Sequence, residues 1–130
     1  MFKICCTMGV IDMQRYFILD IKSTERENKK TGFIDYKLEW YVVPTMGEAI
    51  GDNWFYRPCN WCGEVWYELY DATTGTLIFR KKTLEELKKR VYDEDFKTML
   101  YKLIKSSEHQ RLEVVFNNAI EEYEARKGAL

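Results

Sequence analysis

Four cysteines and one histidine are the residues of this chain best suited to metal or redox chemistry, and two of the cysteines fall in Cys59-Asn60-Trp61-Cys62. Two thiols at that spacing can form half of a zinc site or a redox pair. A structural zinc takes four ligands. Cys5 and Cys6 are adjacent, and neighbouring residues on a strand point to opposite faces, so only one of them can easily join such a set. His109 is the only histidine and lies at the start of a helical pattern. A site of Cys59, Cys62, one of Cys5 or Cys6, and His109 can be drawn, but the second paired-thiol unit of a zinc ribbon is missing. In a thioredoxin-like pair the first cysteine opens a helix after a strand. Here the pair follows Pro58 and precedes a strand pattern. The expectation is therefore ordinary thiols in a tight loop, with no metal and no cofactor.

Carboxylates offer a second chemistry. Asp20 at the end of one strand, with Asp35-Tyr36-Lys37 on the next, resembles the metal-dependent nuclease pattern of an Asp followed by an acidic-x-Lys strand. The resemblance covers only these positions, and alternation assigns Asp35 and Lys37 to a solvent face. Together with the Cys59/Cys62 pair it defines the alternative reading, a metal-dependent enzyme or zinc-stabilised domain. Other catalytic signatures are missing. There is no Gly-x-Ser-x-Gly elbow, one histidine leaves little choice of base, and the glycines are scattered singly with no phosphate-binding loop.

The strongest remaining signal is aromatic. Aromatic residues make up 15% of the 130, and Trp54, Phe55, Tyr56, Trp61, Trp66, Tyr67 and Tyr70 crowd one stretch. Trp, Tyr and Arg dominate binding energy at protein interfaces. Trp54, Tyr56, Arg57, Trp61 and Trp66 are accordingly the expected partner-binding residues, and Thr45 to Gly63, with three glycines and a proline, the irregular segment that carries most of them. The competing expectation is a lid that buries its rings on the sheet. Twenty basic and twenty-one acidic residues leave a net charge of −1, which disfavours a nucleic-acid partner unless the basic residues are segregated. The one basic cluster, Arg80-Lys81-Lys82 and Lys88-Lys89-Arg90, is interrupted by Glu85 and Glu86 and reads as a solvated strand end and helix face. No apolar run approaches the ~20 residues of a membrane span, and the N-terminus lacks a signal-peptide pattern. A cytoplasmic location with reduced thiols is expected.

The elements that must position these residues follow from periodicity and punctuation. Length fits one domain. Phe2 to Thr7 suggests a short strand, and Arg15 to Ile21, apolar on both faces, a central one. Ser23 to Gly32 is polar and reads as a loop. Phe33 to Val43 alternates, with Ile34, Tyr36, Leu38, Trp40 and Val42 on the side expected to be buried and Pro44 as the stop. Glu64 to Asp71 and Thr76 to Lys81 form a hairpin whose turn closes at Gly75 with positive φ. Thr83-Leu84-Glu85-Glu86 caps a helix running to about Tyr92, Asp93 caps a second, and Ser107 with Gln110 opens a third. Phe96, Met99, Leu100, Leu103 and Ile104 make one apolar stripe, and Leu112, Val115, Phe116, Ala119, Ile120 and Tyr123 another. Strands followed by helices define an α+β fold: an antiparallel sheet of four to five strands with three C-terminal helices on one face. Leu100, Leu103, Leu112, Phe116 and Ile120 are the expected shared core, with oligomer formation through the helical face as the other use of those stripes. By elimination the chain is expected to be a non-enzymatic protein-binding module. A small inhibitor or adaptor, of the kind phages use against bacterial defence complexes, fits its size.

Overall fold

A computed structural model of the chain describes residues 13–127 in full, together with the backbone of two N-terminal strands and of the last helical residue. Those strands, β1 (Ile4–Cys6) and β2 (Gly9–Ile11), pair antiparallel as a small sheet of their own. The main sheet has five antiparallel strands in chain order: β3 (Gln14–Glu27), β4 (Ile34–Ile50), β5 (Trp54–Trp61), β6 (Glu64–Asp71) and β7 (Leu77–Lys81). Helices α1 (Leu84–Val91), α2 (Glu94–Ile104) and α3 (Ser107–Gly128) follow. All three pack on the same face of the sheet, which makes the fold α+β as the sequence implies. The sheet curls, because the Leu19 N–H donates to the Gly75 carbonyl at 2.9 Å and so ties the β6–β7 turn back to β3. No helix among the described residues is long and apolar enough to cross a membrane.

Three strands are longer than their sequences suggest. Ser23 to Gly32 is not a loop throughout, since β3 continues to Glu27 and turns only at residues 28–33. Thr45 to Gly63 is not irregular either, since it holds the end of β4, a short turn and the whole of β5. Two prolines account for much of the difference. Proline interrupts a strand only where its nitrogen faces a hydrogen-bonded neighbour. Pro44 pairs with Phe17 of β3, and β5 joins β4 only at residues 48–50, so its nitrogen can face an open edge. Pro58 pairs with Tyr67 and likewise lies beyond the residues that β5 shares with β4.

The core divides into two clusters. Ile50, Trp54, Tyr56 and Leu69 of the sheet meet Leu87, Val91, Phe96 and Leu100 of α1 and α2. Leu19 and Val42 meet Phe116 and Ala119 of α3, with Leu112 and Ile120 packed at the margin. Leu103 does not belong to either, being 50% exposed, and Met99 is exposed as well. Helix α2 contributes Phe96 and Leu100 to the core, and residues three positions on from each fall on its flank. The helix caps follow the sequence at Thr83, whose hydroxyl accepts from the Glu86 N–H, and at Asp93, whose carboxylate accepts from the Phe96 N–H. At α3 the cap is one residue earlier than the expected Ser107. The Ser106 hydroxyl accepts from the His109 N–H and donates to the Leu103 carbonyl at 2.6 Å, so the connection from α2 is fixed at both ends.

Candidate functional site

A two-residue turn, Cys62-Gly63, joins β5 to β6. Both residues have positive φ, 53° and 80°, as a hairpin turn matched to strand twist requires. The turn fixes the register: Arg57 lies opposite Glu68, Cys59 opposite Trp66 and Trp61 opposite Glu64. Alternation then separates the expected partner-binding residues. Trp54 and Tyr56 point towards the helices and are buried there, with the Tyr56 hydroxyl donating to the Glu48 carboxylate. They are core residues and offer no ring to a partner. Arg57, Trp61 and Trp66 share the opposite face, which no helix covers among the described residues.

At the centre of that face Glu68 is almost wholly buried, 1% exposed, and holds two arginines. The Arg57 Nε donates to its Oε1 at 3.1 Å and the Arg80 Nε to its Oε2 at 2.7 Å. The Tyr70 hydroxyl donates to Oε1 at 2.9 Å. The remaining Arg57 nitrogens donate to the Thr45 and Tyr70 hydroxyls. Burial by itself would raise the Glu68 carboxyl, but the hydrogen bonds from Arg80, Tyr70 and Arg57 outweigh it and hold the group below the usual carboxylate range. Tyr70 is pushed up to about 12, first by burial, against the pull of the Arg57 charge. Glu68 is thus a fixed anion at neutral pH and Tyr70 a fixed donor, which suits positioning and not proton transfer.

The arginines carry the network outward to the tryptophans. Trp61 and Trp66 meet edge to face, with centroids 6.0 Å apart. The Arg80 guanidinium lies over the Trp61 ring at 5.9 Å and the Lys82 ammonium over Trp66 at 5.4 Å. Trp61 is 53% exposed and Trp66 is half-buried. Behind them Phe55 is completely buried between Tyr16 and Tyr70. Gly47 makes that stack possible, because a Cβ there would lie 2.7 Å from the Phe55 ring. The result is a packed aromatic and cationic plate.

The alternative chemistries find no constellation. Cys62 is exposed in the turn and Cys59 faces Trp66; Cys5 and Cys6 lie outside the residues whose side chains are described. His109 is engaged elsewhere. Its Nε2 is 2.7 Å from Asp71 Oδ2 and 3.3 Å from Thr73, which clamps the start of α3 to the β6–β7 turn. Asp71 is five residues along β6 from Trp66, the partner of Cys59, or ~17 Å at strand rise. Asp20 accepts from the Tyr41 hydroxyl, whereas Asp35 lies opposite Arg26, six residues further along β3, so the nuclease-like carboxylates stay apart. Among the described residues no three His, Cys, Asp or Glu side chains gather as a metal site.

Arg80 and Lys82 were missing from the expected set because the basic cluster reads as one solvated run. Strand parity carried the signal: Arg80 pairs with Glu68 on the Trp66 face and Lys82, just past the end of β7, lies over Trp66, while Lys88, Lys89 and Arg90 ride on α1. No protein-family model, curated protein or solved structure matches this chain.

Proposed function

We propose that the chain is a non-enzymatic protein-binding module whose partner is met by the uncovered face of β5, β6 and β7. The observation that supports it is the Trp61–Trp66 pair, part-exposed on a sheet face that no helix covers among the described residues, with Arg80 and Lys82 already seated over the rings. Interface energy concentrates in such anchors. Because Glu68 holds Arg57 and Arg80 in place before any partner arrives, little side-chain entropy is lost on binding. Arg57, Arg80 and Lys82 outnumber the buried Glu68 and the Glu64 beside Trp61, which favours a partner surface that presents acidic residues around an apolar spot. A binding role of this kind suits an inhibitor or adaptor acting in the cytoplasm. Duplex nucleic acid fits less well, since it requires a longer track of cations than this plate provides.

The test is differential capture. The parent protein and the Trp61→Ala and Arg80→Glu variants are immobilised and exposed to lysate of the cells that express the chain, and retained proteins are quantified by mass spectrometry. A protein held by the parent and lost by both variants, at unchanged circular dichroism, is the expected result. Identical retention by all three would remove this face from partner binding.

A further inference from the structure

Beyond Leu19 and Val42 the β3–β4 ribbon leaves the body. Strand β5 pairs with β4 only at residues 48–50, and α3 covers the ribbon only at its base. Among the described residues, 20–27 and 34–41 therefore pair with each other alone. One face of this arm is polar, with Lys22, Thr24, Arg26, Asp35, Lys37 and Glu39. On the other face β4 carries Ile34 (53% exposed), Tyr36 (66%), Leu38 (65%) and Trp40 (41%), beside Ile21 (43%), Ser23, Glu25 and Glu27 of β3, and Phe33 stands at the tip at 73%. An isolated two-stranded ribbon is marginally stable in water, and contiguous apolar surface of this extent marks an interaction site.

We propose that this stripe is the contact between two copies of the chain, related by a two-fold axis that lays the arms face to face and antiparallel. Two observations favour a second copy over another partner. The first is the order of residues. Ile34, Tyr36, Leu38 and Trp40 alternate aliphatic and aromatic, so an antiparallel overlay centred between Tyr36 and Leu38 sets Ile34 against Trp40 of the other copy and Tyr36 against Leu38. Each contact along β4 joins an aromatic ring to an aliphatic chain, so that row complements itself, as an isologous interface requires. On the β3 side the same overlay sets Glu27 opposite Ile21 and Glu25 opposite Ser23, so no like charges meet.

The second observation is area. At ~200 Å² for a large side chain, the exposed parts of the five stripe residues total roughly 540 Å². Two copies together would bury slightly more than the ~1,000 Å² at which a specific interface begins. The inference uses none of the residues of the β5–β7 plate and stands or falls apart from it.

Sedimentation velocity on the full chain over a dilution series tests the proposal. The parent should pass from monomer to dimer as concentration rises. Leu38→Glu and Tyr36→Lys should each be monomeric throughout, with unchanged circular dichroism, since both side chains are about two-thirds exposed. Mixed together, the two variants should form a heterodimer, because the overlay places position 38 of one against position 36 of the other. A parent that stays monomeric at all concentrations, a dimer indifferent to both substitutions, or two monomeric variants that fail to pair would each overturn it.

Discussion

The β5–β7 end of the sheet and the β3–β4 arm share one alternating pattern of residues, yet they have opposite surroundings. In the body the apolar face of the strands is covered by α1 and α2, and the face away from the helices is filled by the Tyr16–Phe55–Tyr70 stack and the Glu68 network. In the arm the apolar stripe is exposed, and the polar face holds the loose ion pairs of Glu39 with Lys22 and Lys37 and exposed hydrogen bonds such as Tyr41 to Asp20. Alternation determines which side chains lie together. What covers them is decided by the third strand and the helices, and the arm has neither beyond its base. A surface residue in the body is thus pre-arranged by buried neighbours, whereas one in the arm stands on a ribbon with a single strand partner.

The largest effects of mutation should fall in the body. Phe55→Ala removes a wholly buried ring that stacks 4.0 Å from Tyr16 and 5.2 Å from Tyr70. It should destabilise the fold by about 3–5 kcal/mol in chemical denaturation, as large-to-small aromatic changes in packed cores do. A loss below about 1 kcal/mol would mean that the uncovered face is loosely packed, and the contrast with the arm would fail.

This contrast also marks how much the sequence disclosed. Signals confined to a few residues were legible: Gly75 has φ 68°, Thr83 and Asp93 cap their helices, and Phe116 is buried where a Cβ on Gly75 would strike it. Lateral relations were not. Pro44 and Pro58 read as breaks because a sequence does not reveal which edge of a strand is open. Of the residues expected to bind a partner, Trp61, Trp66 and Arg57 share a face, while Trp54 and Tyr56 go to the core. Period-two alternation would have made that division had residues 54–61 been read as a strand. The stripe Ile34 to Trp40 was legible as one face of a strand, but its burial was not. Only Val42 receives the cover that alternation leads one to expect.

An intermediate effect belongs to the polar centre of the plate. Glu68→Gln keeps the shape and removes the charge that orders Arg57 and Arg80. Hydrogen bonds to charged groups contribute about 1.5–3 kcal/mol, and solvent reaching the half-exposed Arg80 keeps the expected loss near the lower end. The pH dependence has a definite sign. A carboxyl held below its unfolded value stabilises the fold above that value and loses the contribution as pH falls through the folded one. The stability gap between parent and Glu68→Gln should therefore be full at neutral pH and shrink below about pH 4. A gap that stays constant into acid would show that Glu68 acts by packing and not by charge.

The smallest effect should come from the arm, and its smallness is what makes it informative. Leu38→Ala removes a side chain that is 65% exposed, on a ribbon that no helix or third strand supports at that point. In dilute solution, where each chain is alone, the change should move stability by no more than about 0.5 kcal/mol, the range of ordinary surface substitutions. Backbone amides at residues 35–39 should also exchange with solvent far faster than those at 67–70, because local opening of an unsupported ribbon needs little of the body to unfold. Raising the concentration should reverse the second result and leave the first variant behind. If two arms cover each other, parent amides at 35–39 gain protection as dimer accumulates, while those of Leu38→Ala gain less, since the contact to Tyr36 of the other copy is lost. Amides in the plate should not respond to concentration at all. Strong protection of 35–39 in the dilute monomer would mean that the arm is stable by itself, and the exposed stripe would lose its physical reason for seeking a partner.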